Sequence, residues 1–187
     1  MENQQQNMTG SWQLNCPVEI PAETDRVTLA HGEGGRLSRK LIQERIVSVL
    51  KNECLEVSGD AARLPRIAGS LALTTDSFVV SPLFFPGGDI GSLAVYGTVN
   101  DLAVSGARPL WLTLSLIIEE GFPLLILDRV LQSLAEAASS TAVKIVAGDT
   151  KVVPRGAVDG LFINTAGVGE LTEPVPPGPE FLAEHDE

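Results

Sequence analysis

The stretch Asp89–Ile118, DIGSLAVYGTVNDLAVSGARPLWLTLSLII, changes character once, and that change decides the fold. Its first half, Asp89 to Ser105, reads as a helix that Gly106 and Pro109 stop. Its second half, Leu110 to Ile118, is a strongly apolar run of strand length. Working outward, Pro123 to Ser140 is a second long helix, with Pro123 suited to its first turn. Val143 to Ala147 is a buried strand ending at Gly148-Asp149, and Leu161 to Val168 is another strand. Upstream, Gly69 to Val80 is rich in Leu, Thr and Val and reads as a strand. Arg36 to Lys51 carries Leu37, Leu41, Ile42, Ile46, Val49 and Leu50 at helical spacing. The mixture predicts an α+β fold, a small mixed or antiparallel sheet with helices on one face. A doubly wound parallel sheet fits less well, because the glycine loop follows only the short run Val27-Thr28-Leu29-Ala30.

A chain of 187 residues holds one domain with a real core, expected over residues 26–171. Residues 1–25 are polar with Pro17 and Pro21, and residues 172–187 hold Pro174, Pro176, Pro177 and Pro179; both read as loose ends. The formal charge of −11 argues against nonspecific nucleic-acid binding and against docking on anionic membranes. No apolar run reaches the length of a membrane span. The start is unlike a secretory signal, and Cys16 and Cys54 form no metal-binding pair. Two reduced thiols in a cytoplasmic protein are the expectation.

Four short words carry the chemistry. They are Thr74-Thr75-Asp76-Ser77, Asn100-Asp101-Leu102-Ala103, Gly148-Asp149-Thr150-Lys151 and His31-Gly32-Glu33-Gly34-Gly35. Three Asp residues in or beside apolar segments suggest one hard-cation site, since an ionised carboxylate there is expensive unless paired or metal-bound. Oxygen ligands of this kind suit Mg2+ together with substrate phosphates. On a helix, Leu93, Gly97 and Asp101 share a face, which places Asp101 on an apolar side. Asp149 is expected at the carboxyl end of a buried strand, where a hydroxyl and an ammonium follow at once in Thr150 and Lys151. Each acid also has a plainer reading: a strand-end turn for Asp76, a backbone-held buried Asp for Asp101, and a surface ion pair for Asp149. Asp60 fits a turn or a helix cap. The glycine loop precedes a helix and suits an anion, although Glu33 repels one and His31 has an equally plain reading as a loop residue. Phe84 and Phe85, in Pro82–Asp89, suggest either docking or core packing.

Together these words resemble the amino-terminal domain of the HypE family of hydrogenase maturation factors. That family lies within the ATP-binding superfamily of aminoimidazole ribonucleotide synthetase and selenophosphate synthetase. The resemblance runs from about Val27 to Leu171 and is strongest at Leu73–Val80, Gly97–Ala107, Ala147–Val153 and Phe162–Gly167. It implies a sheet backed by helices whose copies from two subunits join into a barrel, giving a homodimer. It implies Mg-ATP held by acids at Asp60, Asp76, Asp101 and Asp149, with Asn100, Thr150, Lys151 and the loop glycines Gly34 and Gly35 around the nucleotide. It further implies ATP-dependent dehydration of a cysteine-bound carboxamide to a thiocyanate, the source of the cyanide ligands of nickel–iron hydrogenase. The implied partners are a HypF-like carbamoyltransferase and a HypC–HypD-like pair. The family's carboxamide-bearing cysteine is carboxyl-terminal, and no cysteine follows Cys54 here, so catalysis is expected to be incomplete in this chain alone. The alternative is a non-catalytic module that dimerises or binds partners.

Overall fold

The computed structural model describes residues 25–55 and 61–172. Residues 1–24 of the expected leader, residues 173–187 of the expected tail, and Asp60 lie outside the described residues, Cys16 among them.

The chain folds as α+β. Its main sheet has four strands in the order β1-β6-β4-β5, namely β1 (Leu71–Phe78), β6 (Leu161–Leu171), β4 (Ala107–Glu119) and β5 (Lys144–Val153). β1 and β4 both run antiparallel to β6, and β4 runs parallel to β5. The parallel pair needs a crossover, and helix α4 (Leu124–Ser140) supplies it. A second ribbon, β2 (Phe84–Phe85) with β3 (Gly88–Asp89), leads into α3 (Ile90–Val104). Asp89 caps α3: its side chain accepts from the N–H groups of Gly91 and Ser92.

The helices lie on one face of the sheet. Leu112, Leu114, Leu116 and Ile118 alternate along β4 into the core, where they join Leu161 and Ile163 of β6. Ile90, Ala94 and Val95 of α3 and Leu127, Val130, Leu131 and Leu134 of α4 close it from above. Each such side chain contributes about 1.5–3 kcal/mol by leaving water. The two helices approach so closely that a Cβ at Gly91 would stand 2.4 Å from the Val130 carbonyl oxygen. Phe84 packs on this core and carries the Arg129 guanidinium 4.0 Å above its ring, so the phenylalanine loop is partly core.

The first helix begins as α1 (Arg36–Leu41), passes through a π-helical stretch at Ile42–Val47, and ends as α2 (Ser48–Leu50). Two boundaries differ from expectation. Strand β4 starts at Ala107 and passes through Pro109, which is tolerated because the pairing with β6 shifts register between Pro109 and Trp111. Strand β5 does not end at Gly148-Asp149 but continues to Val153. Gly148 is a packing glycine and not a stop: a Cβ there would lie 2.4 Å from the Leu114 carbonyl oxygen. No helix among the described residues is long and apolar enough to cross a membrane.

Candidate nucleotide site

The alternation of β1 sends Thr74 and Asp76 toward the helices and Leu73, Thr75 and Ser77 toward the open face. Thr74 pairs in register with Gly167, and a Cβ at Gly167 would touch Thr98 of α3, which fixes that side as the helical one. The Thr74 hydroxyl donates to Asp101 Oδ2 across 3.1 Å, joining the edge strand to α3. One turn earlier on α3, a Cβ at Gly97 would stand 2.9 Å from the Phe78 ring and 3.6 Å from Asp76 Oδ2. Asp76 and Asp101 therefore stand on successive rungs of one seam, about 7 Å apart along the strand. Asn100 is exposed at the same end of α3.

Asp101 is exposed, contrary to the expected apolar setting. The face shared by Leu93, Gly97 and Asp101 is covered by Phe78 at Gly97 but is exposed at Asp101, where the Thr74 hydroxyl meets it. Asp149 is exposed as well and stands mid-strand.

The other predicted residues gather at the opposite edge of the sheet. Asp149 pairs with Ser115, Ser115 with Asn164, and Asn164 with Ser77. This polar row crosses the open face, so the Asp149 carboxylate stands on the face away from Asp76. Lys151, two residues on, lies 4.0 Å from it in an exposed ion pair worth little in itself. Thr150 points to the helical side, where it lines a cavity of about 720 Å³ between β5 and the π-helical stretch, beside Gln43, Ile46, Cys54 and Leu114. The glycine loop docks on the same strand, since a Cβ at Gly32 would stand 2.8 Å from the Val152 backbone nitrogen. Gly34 and Gly35 are exposed beyond it.

Thus Asp76, Asp101 and Asn100 come together at β1 and α3, while Gly34, Gly35, Thr150 and Lys151 come together at β5. Three strand spacings, about 14 Å, separate the two edges. Among the described residues no three His, Cys, Asp or Glu side chains converge as a metal cage. Asp76 and Asp101 are oxygen donors of the kind Mg2+ uses, which takes one or two carboxylates and fills its remaining positions with phosphate oxygens and water.

Two contributors were not picked out from sequence. Asn164 Nδ2 donates to the Asp76 carbonyl at 2.8 Å, to Ser77 Oγ at 3.0 Å and to Thr75 Oγ1 at 3.3 Å. Ser38, buried under the glycine loop, bonds to Gly34 and Ala30. An Asn between the buried Ile163 and Thr165 signals an open-face position, but only the strand order tells what it faces.

Residues 58–171, more than half of the chain, match the family model for AIR synthase related protein, N-terminal domain. A carbamoyl dehydratase HypE from Rhodobacter capsulatus is 52% identical over 164 residues, covering 85% of this chain and 46% of its own length. A solved HypE in complex with ATP superposes with a TM-score of 0.78 at 52% identity, covering 80% of this chain and 45% of that one. A chain of a HypE–HypF complex superposes at 0.56 with 56% identity, covering 72% of this chain and 43% of that one. The chain spans about half the length of the curated relatives it matches. The family-model match over more than half of the chain shows that this chain belongs to the AIR synthase related family, as its N-terminal domain.

Proposed function

We propose that this chain is the Mg-ATP-binding part of a HypE-like carbamoyl dehydratase that serves maturation of nickel–iron hydrogenase in the cytoplasm. The observation that carries the reading is the likeness, at 52% identity, to a HypE solved with ATP. Asp76 and Asp101 hold Mg2+ on the nucleotide phosphates, with Asp60 and Asp149 as further acids. Asn100 orients the pair, and Gly34, Gly35, Thr150 and Lys151 take the phosphate chain. ATP, when bound, accepts the oxygen lost by a cysteine-bound carboxamide, leaving a thiocyanate, ADP and phosphate.

The two half-sites stand at opposite edges of one sheet, whose outer strands among the described residues are β1 and β5. A homodimer in which β5 of each copy meets β1 of the other closes the two sheets into a barrel and brings the half-sites together. A HypF-like partner delivers the carbamoyl group, a reading supported by the likeness to the HypE–HypF complex. A HypC–HypD-like pair receives the cyanide. Titration calorimetry with ATP in the presence and absence of Mg2+ tests the core of this reading: Mg2+-dependent binding is expected, and no binding under either condition overturns it.

A further inference from the structure

The glycine loop is tied down at both ends by side chains outside the residues assigned above. At its entry lies the single 3-10 turn Leu29–His31. There the Thr28 backbone N–H donates to His31 Nδ1 across 3.0 Å, and the Thr28 hydroxyl lies 2.9 Å from the same nitrogen. A backbone N–H can only donate, so Nδ1 is an acceptor and the ring proton of His31 sits on Nε2. At its exit, the buried Ser38 hydroxyl accepts from the Gly34 N–H at 2.9 Å and donates to the Ala30 carbonyl at 3.2 Å. Between these ties Gly32 lies flat on Val152, next to Lys151. Gly34 holds a left-handed φ of 76° that a side chain would strain. The outer side is open, since a Cβ at Gly34 or Gly35 would meet nothing within 4 Å. A loop fixed on its inner side and open on its outer side meets a ligand with little ordering cost.

We propose that Thr28, His31 and Ser38 are positioning residues that preorganise the His31–Gly35 loop as the phosphate-side wall of the nucleotide site, and that His31 does so only as the neutral imidazole. The inference rests on the nucleotide-binding reading above. A proton on Nδ1 would turn the acceptor into a donor facing the Thr28 N–H, and the entry tie would break. The charged groups around the turn are Glu33 of the loop, Arg36, Arg39 and Lys40 of α1, Glu44 and Arg45 of the π-helical stretch, and Lys144, Asp149 and Lys151 of β5. Cations predominate among them. Burial, the largest influence, lowers the His31 ring below the ordinary imidazole value; a Thr28 backbone hydrogen bond opposes the shift and the Arg45 charge adds to it. The clamp is therefore intact at neutral pH and opens in acid.

The test uses the full chain, labelled with 15N, as wild type, His31→Asn and His31→Leu. The Asn amide oxygen can accept the Thr28 N–H but takes up no proton; Leu can do neither. Between about pH 8 and pH 5 the wild type should lose at least about threefold more Mg-ATP affinity than His31→Asn loses. Protonation of ATP itself affects both alike. At about pH 8, His31→Leu should bind at least about tenfold more weakly than wild type. Without nucleotide, the amide resonances of Gly32 and Gly34 should move with the His31 ring titration in wild type and stay in place in His31→Asn. One shared pH profile for wild type and His31→Asn, or glycine resonances indifferent to the ring, overturns the clamp. Glycine resonances that follow the ring in a protein that binds no Mg-ATP uphold the clamp and overturn the nucleotide reading instead. Should His31→Leu fail to fold, the Asn comparison and the resonances decide alone.

Discussion

Thr74 on the edge strand donates its hydroxyl to Asp101 on α3 across 3.1 Å, so the proposed metal carboxylate is aimed by a side chain of a different element. Because Asp101 is exposed, removing its charge leaves nothing buried unpaired. Asp101→Asn should keep its melting temperature within about 2 °C while Mg2+-dependent ATP binding weakens by at least about a hundredfold. Thr74→Val should weaken binding by only about three- to tenfold, the scale of one lost orienting hydrogen bond. Calorimetry and thermal melts check both, and Mg-ATP affinity unchanged in Asp101→Asn would remove that residue from the site.

Gly148 and Gly35 should answer differently to alanine. At Gly148 the new Cβ would press within 2.4 Å of the Leu114 carbonyl oxygen, and backbone on both sides resists. Gly148→Ala should cost about 2 kcal/mol or more in urea unfolding, as overpacked positions do. At Gly35 nothing lies within 4 Å, so Gly35→Ala should change stability by less than about 0.5 kcal/mol. Similar unfolding midpoints for the two variants would contradict the packing described for β4 and β5.

The open face of the sheet should be where two copies meet. Leu73, on that face of β1, is 73% exposed, an unusual position for a large aliphatic side chain with no partner. Light scattering should report a dimer for the wild type and a monomer for Leu73→Lys, with helical circular dichroism retained in both. A wild-type monomer at tens of micromolar, roughly where an interface of standard size is populated, would count against the barrel.

Arg108 and Glu170 lock β4 to β6 near the sheet end, with the Gly69 N–H also donating to Glu170. The Arg108 hydrogen bond, then that from Gly69, hold the Glu170 carboxyl below the usual carboxylate range. A folded value below the unfolded one means that the contribution is present at neutral pH and lost as pH falls through the folded value. The stability gap between wild type and Glu170→Gln should therefore be largest near neutrality, close in acid, and shrink in molar salt because the pair is solvent-screened. A gap that grows on acidification would reverse the sign assigned to this pair.

Helices α3 and α4 were legible in the sequence because their stops are local: Asp89 caps one, Pro123 sits at the cap of the other, and Gly106 follows the first. The helical spacing of Leu37, Leu41 and Leu50 was legible too, but not the π-helical stretch inside it, which no local residue pattern marks. The four strands of the main sheet were found and their ends were not, and the short β2–β3 ribbon reads from sequence as a loop. Gly148 and Pro109 carry stop signals whose real causes, a carbonyl pressed against one and a register shift at the other, lie on neighbouring strands. The four chemical words were visible at once. Their division between two edges of the sheet was not, because it depends on strand order, which is a long-range property.

Strand β1 serves two surfaces through parity alone. Thr74 and Asp76 belong to the nucleotide side and Leu73, Thr75 and Ser77 to the open face, so a slip by one residue would exchange the two sets in a single step. Asn164 grips three consecutive residues of that strand, two through their side-chain hydroxyls and one through its carbonyl, and a slipped strand cannot offer the same three groups. An insertion or deletion of one residue between Leu71 and Phe78 would therefore turn the proposed metal acid and the proposed subunit contact to the wrong faces together, whereas a change of two would restore the parity but still part Thr74 from Asp101 and break the grip of Asn164.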